Sequence, residues 1–232
     1  MQIAILIYDK FTALDAIGPY EVLSRLSGAE VVFAAERPGP VRTDTGMLAV
    51  TADVALADAP HPDIVLVPGG PGQEAQMKDG PAHEWLRTAD ATSTWTTSVC
   101  TGSLILAAAG LLAGRRATSH WLALDRLREL GAQPTAERVV FDGKYATGAG
   151  VSAGIDLALA LSEPIAGPGG PGDPADDRVR PAPAAAGRIP GHGAAGPGGQ
   201  HAAAQQAPGR EPVTVSPAVR RRPRGRRACE VP

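Results

Sequence analysis

The sequence predicts an α/β fold over residues 1–162, a flavodoxin-like three-layer sandwich with a mainly parallel sheet. Two observations predict it. Uninterrupted apolar runs of strand length recur along the chain, which is typical of strands covered on both faces. Between these runs lie segments with the pattern of helices of about ten residues, and strands that alternate with helices build parallel sheets.

The elements follow in chain order. The predicted strands are Gln2–Tyr8, Glu30–Ala35, Asp63–Gly70 and Thr94–Val99. The predicted helices are Pro19–Leu26, opened by Gly18-Pro19, and then Ala82–Ala91, Thr101–Leu112, Trp121–Leu130 and Ser152–Ser162. Residues 41–54 and 137–148 alternate polar and apolar side chains around Thr45-Gly46 and Asp142-Gly143. Each is expected to form a hairpin or an antiparallel excursion at the margin of the sheet.

Composition changes near residue 162. Residues 163–232 hold 13 of the 22 prolines and 12 of the 28 glycines, with 10 Lys and Arg against 6 Asp and Glu. Such a segment cannot offset its chain entropy by burial. It is a disordered extension, a basic nucleic-acid arm ending in "RRRPRGRR", or the product of a reading-frame shift in a GC-rich gene. The frame shift explains the most, because GC-rich codons yield Pro, Gly, Ala and Arg, and it would leave the preceding domain incomplete at its C-terminal end.

The charge of residues 1–162 and the length of the apolar segments argue against several classes of partner. This part has 12 Lys and Arg against 18 Asp and Glu, which argues against nucleic acid or an anionic membrane as its partner. No segment has the roughly 20 apolar residues that span a bilayer, and Met1 leads straight into a strand-like run rather than a signal peptide. We therefore expect a cytoplasmic protein.

Cysteine and histidine usage suggests neither a disulfide framework nor a metal centre. Cys100 and Cys229 are the two cysteines, one in each part of the chain. His61, His83 and His120 are scattered without ligand spacing. We expect no metal and no cofactor.

Polar and glycine-rich segments follow three of the predicted strands. Asp15 comes after the first strand, Gly69 and Gly70 end the third and open "GGPG", and Cys100 follows the fourth. Ligands in this fold class bind beyond the carboxyl ends of the strands, so these residues are expected to line one crevice. The "GGPG" segment lacks the Lys-Ser/Thr of a phosphate loop. The amide groups of Gly69 and Gly70 are instead expected to line the pocket and stabilise negative charge.

Cys100 occupies a sharp turn from strand to helix, with Gly102 two residues later, which is the arrangement of a nucleophile elbow. The N-terminus of the following helix is expected to favour the thiolate and lower the pKa of the thiol. The alternative is a small hydrophobe in a buried turn, because free cysteine is often buried. The residues alone leave both interpretations open.

Four segments together resemble the ThiJ/PfpI superfamily, a class I glutamine-amidotransferase-like group, and most closely its isonitrile hydratase branch. They are "LDAIGPYEVL", "VPGGPG", "SVCTGSLILAAAGLLAGRRATSHW" and "ERVVFDGKYATGAGVSAGIDLALAL". The resemblance implies that Cys100 is the nucleophile, Asp15 its acidic partner and Thr101 the residue that orients the pair. It also implies a homodimer that hydrates a small isonitrile to an N-substituted formamide.

At two positions the sequence differs from other branches of this superfamily. Protease-like members carry His directly after the cysteine, where Thr101 stands here, so the local Cys-His dyad is absent. Deglycase-like members use Glu where Asp15 stands. Gly102 and His120 join Gly69 and Gly70 as expected substrate-binding residues, although the His120 imidazole could equally be structural. Asp15 could likewise be a cap before the Gly18-Pro19 helix start.

Two other functions are compatible with the same residues. A similar domain forms the sensor half of AraC-type transcription regulators, but those regulators continue into a helix-turn-helix domain and nothing in this sequence resembles one. Glyoxalase or deglycase activity would use the same thiol.

Overall fold

The computed structural model describes residues 1–166. Its main sheet has seven strands, named here in chain order: β1 (Gln2–Leu6), β2 (Glu30–Ala35), β5 (Val54–Ala55), β6 (Ile64–Val67), β7 (Trp95–Val99), β10 (Val139–Asp142) and β11 (Tyr145–Gly148). Their order across the sheet is β10-β11-β7-β6-β1-β2-β5. All neighbours are parallel except β10 and β11. The predicted α/β class with a mainly parallel sheet is confirmed.

Two small sheets flank the main one. Strand β3 (Gly39–Arg42) pairs antiparallel with β4 (Ala49–Ala52), and β8 (Arg116–Ala117) pairs parallel with β9 (Gln133–Pro134). Both predicted hairpins are confirmed. Strand β11 of the second hairpin also pairs with β7, so it is an integral strand of the sheet rather than an excursion.

Helices cover both faces of the main sheet. They are α1 (Ala13–Leu23), α2 (Gln73–Gln76), α3 (Pro81–Thr92), α4 (Gly102–Ala108), α5 (Leu124–Glu129) and α6 (Ala153–Ala166), with short 3-10 helices at Leu56–Asp58 and Trp121–Ala123. Helix α1 packs against α6, and α4 packs against α3 and α5. The side chains of Ile3–Leu6 and Ile64–Val67 are buried, as expected for central strands covered on both faces.

Helix α1 begins six residues earlier than the sequence predicts, so the expected start at Gly18-Pro19 is wrong. Pro19 lies inside the helix. A Cβ on Gly18 would lie 3.1 Å from Cγ1 of Ile155, so glycine permits close packing of α1 against α6. Asp15 therefore stands in the first turn of α1, and the interpretation of Asp15 as a cap before the helix is also wrong.

The C-terminal end of the described structure passes the predicted domain boundary. Helix α6 contains residue 162 and continues to Ala166. The rest of the predicted Pro/Gly/Ala/Arg-rich tail, with Cys229, lies outside the described residues. No helix in the described part of the chain is long and apolar enough to cross a membrane.

We expect Gly102→Ala to destabilise the fold by about 3 kcal/mol or more, because an inserted methyl group has no room. A Cβ at this position would lie 2.1 Å from the carbonyl oxygen of Val67 and 2.8 Å from that of Pro68. Urea unfolding of the variant and the wild type measures the difference. Gly80→Ala is the matched control, since its nearest atom would be 3.9 Å away, and it should cost about 1 kcal/mol or less. Equal costs would show that the start of α4 is looser than described.

Candidate functional site

The carboxyl ends of β1, β6 and β7 bring most of the predicted site residues together. Asp15 enters from α1, Gly69 and Gly70 follow β6, and Cys100 and Thr101 join β7 to α4. Direct contacts link these five residues. The predicted convergence at one edge of the sheet is what the structure shows.

Cys100 has left-handed backbone geometry, with φ 58°. This conformation is uncommon outside glycine, and here surrounding hydrogen bonds hold it. The Cys100 amide donates to the Gly148 carbonyl (2.9 Å), and its own carbonyl accepts from the hydroxyls of Ser103 and Ser119 (both 3.1 Å). The side chain is fixed at the junction of strand and helix, and the residue is only 7% exposed.

The Asp15 carboxyl group is fully buried, and both of its oxygens accept backbone hydrogen bonds. Oδ2 accepts from the Gly69 amide (3.1 Å), and Oδ1 accepts from the Val151 amide (2.9 Å). Burial raises the pKa of Asp15 to about 6, while hydrogen bonds from Val151, Gly69 and Cys100 oppose the rise. Asp15 can therefore take up or release a proton near neutral pH.

The pKa of the Cys100 thiol is raised, whereas the sequence predicts that it is lowered. Burial, and then the charge of Asp15, raise the pKa of Cys100 to about 12, whereas hydrogen bonds from Thr101 oppose the rise. Helix α4 has only seven residues, so its dipole offers limited compensation. The expectation of a lowered pKa is wrong, because it considered the helix N-terminus and not the burial of the sulfur beside a carboxylate.

The Gly69-Gly70 segment holds the other site residues in place. The Gly69 amide donates to Asp15, and the Gly70 amide donates to Oγ1 of Thr101 (3.0 Å). A Cβ on Gly69 would lie 2.5 Å from the Thr101 nitrogen, and Gly70 has a φ of 136°, so both positions require glycine. In this structure both amides point at protein oxygens, and their predicted contact with substrate stays a prediction.

The two remaining predicted residues lie at the periphery. Gly102 gives α4 its close approach to the carbonyl ends of β6. The His120 imidazole accepts a hydrogen bond from the Leu122 amide (3.4 Å) and lies against the Trp121 ring, with centroids 5.7 Å apart. These contacts are compatible with a structural role, and the predicted contact of His120 with substrate stays a prediction; its neighbour Ser119 contacts Cys100 directly.

Sequence reasoning missed three residues of the site. Val151 places its amide on Asp15 and has a φ of 44°, which is strained for a β-branched side chain. A Cβ on Gly150 would lie 3.2 Å from Sγ of Cys100, so Gly150 leaves the sulfur room. The Tyr8 hydroxyl donates to the Pro68 carbonyl (2.9 Å) beside the Gly69-Gly70 segment. Gly150 was a sequence signal for a tight turn there, the strain at Val151 is visible only in the structure, and a tyrosine at the end of an apolar strand gave no signal.

A cleft of about 380 Å³ opens beside this site, at the carboxyl ends of β1 and β2. Its apolar lining includes Ile7, Val41 and Leu56, and Arg37 and Arg42 are among its polar residues. Neither Cys100 nor Asp15 lines it. Within residues 1–166, no group of three or more His, Cys, Asp or Glu side chains is arranged to hold a metal ion.

Comparisons with known proteins indicate one family. The sequence profile of the DJ-1/PfpI family matches residues 1–164. The chain is 42% identical to the isonitrile hydratase of Pseudomonas putida over 167 residues, which cover 72% of this chain and 73% of that enzyme. It is also 40% identical to the HTH-type transcriptional regulator CdhR of Pseudomonas aeruginosa over 133 residues, which cover 56% of this chain and 39% of the regulator.

Comparison with a solved structure indicates the same family. A ThiJ/PfpI family protein from Pseudomonas syringae superposes with a TM-score of 0.67 at 40% sequence identity, over 69% of this chain and 66% of that one. The chain thus spans slightly less than two thirds of that structure and well under half of the regulator.

Proposed function

The chain belongs to the DJ-1/PfpI family, and from this premise we propose that it is an isonitrile hydratase. It would add water to R–N≡C and release the N-substituted formamide R–NH–CHO. The observation that carries the proposal is the buried pair of Cys100 and Asp15. Between pH about 6 and about 12 this pair shares a single proton. Similarity to the Pseudomonas putida enzyme supports the choice of substrate class.

The first half of the reaction uses that proton. The thiol proton moves to the Asp15 carboxylate as the sulfur attacks the terminal carbon of the isonitrile. Asp15 then delivers the same proton to that carbon, and the product is the thioimidate R–N=CH–S–Cys100. An isonitrile ends in a slender linear group, which suits a cysteine residue that is only 7% exposed.

The second half regenerates the pair. Asp15, again a carboxylate, takes a proton from water while the water oxygen adds to the thioimidate carbon, and it passes that proton to nitrogen. The tetrahedral species then loses its hydroxyl proton to Asp15 as the C–S bond breaks, and Asp15 returns the proton to the sulfur. Thr101 orients the pair in this scheme, since its hydroxyl is fixed by Gly70.

A second candidate function is ligand sensing without turnover. The raised pKa of Cys100 and its slight exposure favour it, because both reduce the reactivity of a thiol. Similarity to the regulator CdhR is the other support, although the match spans 39% of that protein. Incubation with millimolar cyclohexyl isonitrile, followed by chromatography of the formamide, separates the two functions. Binding of the isonitrile without any formamide would favour the sensor.

We expect kcat/KM for hydration to rise with pH through about 6 and then stay level to pH 9. Below this value Asp15 is protonated and cannot accept the thiol proton, and above it the pair holds the one proton that the mechanism uses. Initial rates in constant-ionic-strength buffers measure the profile. A rate that falls as pH rises through 6 would show that protonated Asp15 starts the reaction, contrary to this mechanism.

A further inference from the structure

We propose that the Tyr8 hydroxyl is a positioning group for Asp15, acting through the peptide bond between Pro68 and Gly69. Tyr8 follows β1 and lies on the opposite side of this peptide from Asp15. The inference deepens the proposed function, and only its activity readout rests on that function.

A single peptide unit connects the two side chains. Its carbonyl, from Pro68, accepts the Tyr8 hydroxyl at 2.9 Å, and its amide, from Gly69, donates to Oδ2 of Asp15 at 3.1 Å. A hydrogen bond to the carbonyl polarises the peptide and strengthens donation by its amide. The same bond opposes rotation of the peptide, because rotation would leave the buried Pro68 oxygen without its donor.

The next peptide unit, between Gly69 and Gly70, is also held by a hydrogen bond at each end. The Gly69 carbonyl accepts from the Thr12 amide (2.8 Å), and the Gly70 amide donates to Thr101 (3.0 Å). Two consecutive peptides therefore carry a hydrogen bond at each end. Glycine resists rotation less than other residues, so these partners must supply the rigidity that the segment lacks.

The Tyr8 ring is itself immobilised. It is 5% exposed, packs edge-on against Phe11 with centroids 6.4 Å apart, and lies beneath Gly72, whose Cβ would approach the ring at 3.1 Å. Burial, and then the charges of Asp15 and Cys100, raise the pKa of the phenol well above its usual range. Tyr8 therefore remains a hydrogen-bond donor at every pH at which Asp15 titrates.

Within residues 1–166, three titratable side chains interact with the Asp15 carboxyl group. Cys100 approaches from the end of β7, Asp44 from the turn between β3 and β4, and Tyr8 from the end of β1. From the α6 side the contact is the Val151 amide. The Tyr8 phenol is neutral where Asp15 titrates, so Tyr8→Phe removes no charge, and we expect it to act on Asp15 through the Gly69 amide.

The test follows the rate of Cys100 alkylation by iodoacetamide from pH 4.5 to 8, in full-length protein that carries Cys229→Ala. The rate should rise as Asp15 ionises, since the carboxylate accepts the thiol proton. In Tyr8→Phe this rise should move upward by about 0.3 to 1 pH unit, the range between a weakened and a lost bond to the carboxylate. At pH 6 the variant should react about 1.5-fold to 5-fold more slowly than the parent.

Two controls identify the residue responsible. Tyr20→Phe removes a hydroxyl further along α1, where the ring packs on Phe33, and should leave the profile unchanged. Asp15→Asn should abolish the rise, and adding Tyr8→Phe to it should change nothing more. For hydration, Tyr8→Phe should lower kcat/KM with the same displacement along the pH axis.

Three results would overturn the proposal. One is a Tyr8→Phe profile that superimposes on the parent while its melting temperature falls, which would make the hydroxyl purely structural. Another is a Tyr8→Phe protein that does not fold at 25 °C. The third is a rise that persists in Asp15→Asn. A wild type that hydrates no isonitrile would reject the proposed function, yet the alkylation profiles would still decide the role of Tyr8.

Discussion

Cys100→Ala should leave no measurable hydration of an isonitrile. The proposed mechanism bonds the substrate carbon to Sγ, and no other thiol in the described residues can take its place. The fold should survive, because alanine keeps the Cβ and the backbone bonds of residue 100 to Gly148, Ser103 and Ser119 do not involve the sulfur. Stability should change by about 1 kcal/mol or less.

The measurement is formamide production at millimolar substrate, with circular dichroism to verify folding. Cys229→Ala removes the second cysteine of the chain and serves as the control, which should retain wild-type rates. Residual activity in Cys100→Ala above a few per cent would mean that Asp15 and water suffice, and would remove the covalent step from the mechanism.

Asp15→Asn should lower kcat/KM by a factor of about 10² or more, the usual cost of losing a proton-transfer group. Asparagine offers one acceptor oxygen where Asp15 offers two, so its amide nitrogen must face the Gly69 or the Val151 amide. Some loss of local order is expected in addition to the loss of proton transfer. The pH profile separates the two effects, because only the loss of a titrating group removes the rise near pH 6.

The same substitution has a signature in stability. The pKa of Asp15 in the folded protein is about 6, above the ordinary value of 3.8. Its contribution to stability is therefore fully present below pH about 4 and is lost as pH rises through about 6, by about 3 kcal/mol in total. From pH 4 to pH 7, the free energy of unfolding of Asp15→Asn should therefore rise relative to that of the wild type. Urea titrations at both pH values test this, with the exposed Asp58→Asn as control; parallel curves for Asp15→Asn and wild type would contradict the raised pKa.

The sequence predicted the sheet and the convergence of most candidate site residues because both depend on local patterns. Apolar runs marked β1, β2 and β6, and the strand-to-helix turn marked Cys100. The start of α1 could not be predicted, because Gly18 and Pro19 pack closely against Ile155 and Gly154 of α6, and these contacts join residues far apart in the chain.

The pKa of the Cys100 thiol likewise depends on contacts that form only in the complete fold. The helix N-terminus beside Cys100 is visible in the sequence, whereas the burial of the sulfur and its distance from Asp15 are products of the complete fold. Likewise the amides of Gly69 and Gly70 were expected to face a ligand. Their actual partners, Asp15 and Thr101, arrive from two other parts of the chain.

The hydrogen bond from Val151 to Asp15 joins residues 136 positions apart, so the site is complete only when distant parts of the chain have come together. β1 pairs with β2, which is near it in the sequence, whereas its other neighbour, β6, begins at residue 64, and β11, which precedes Val151, pairs with β7. Contacts of such long sequence separation form late and slowly. Reactivity of the Cys100 and Asp15 pair should therefore appear only in the final phase of refolding, after most of the secondary structure has returned.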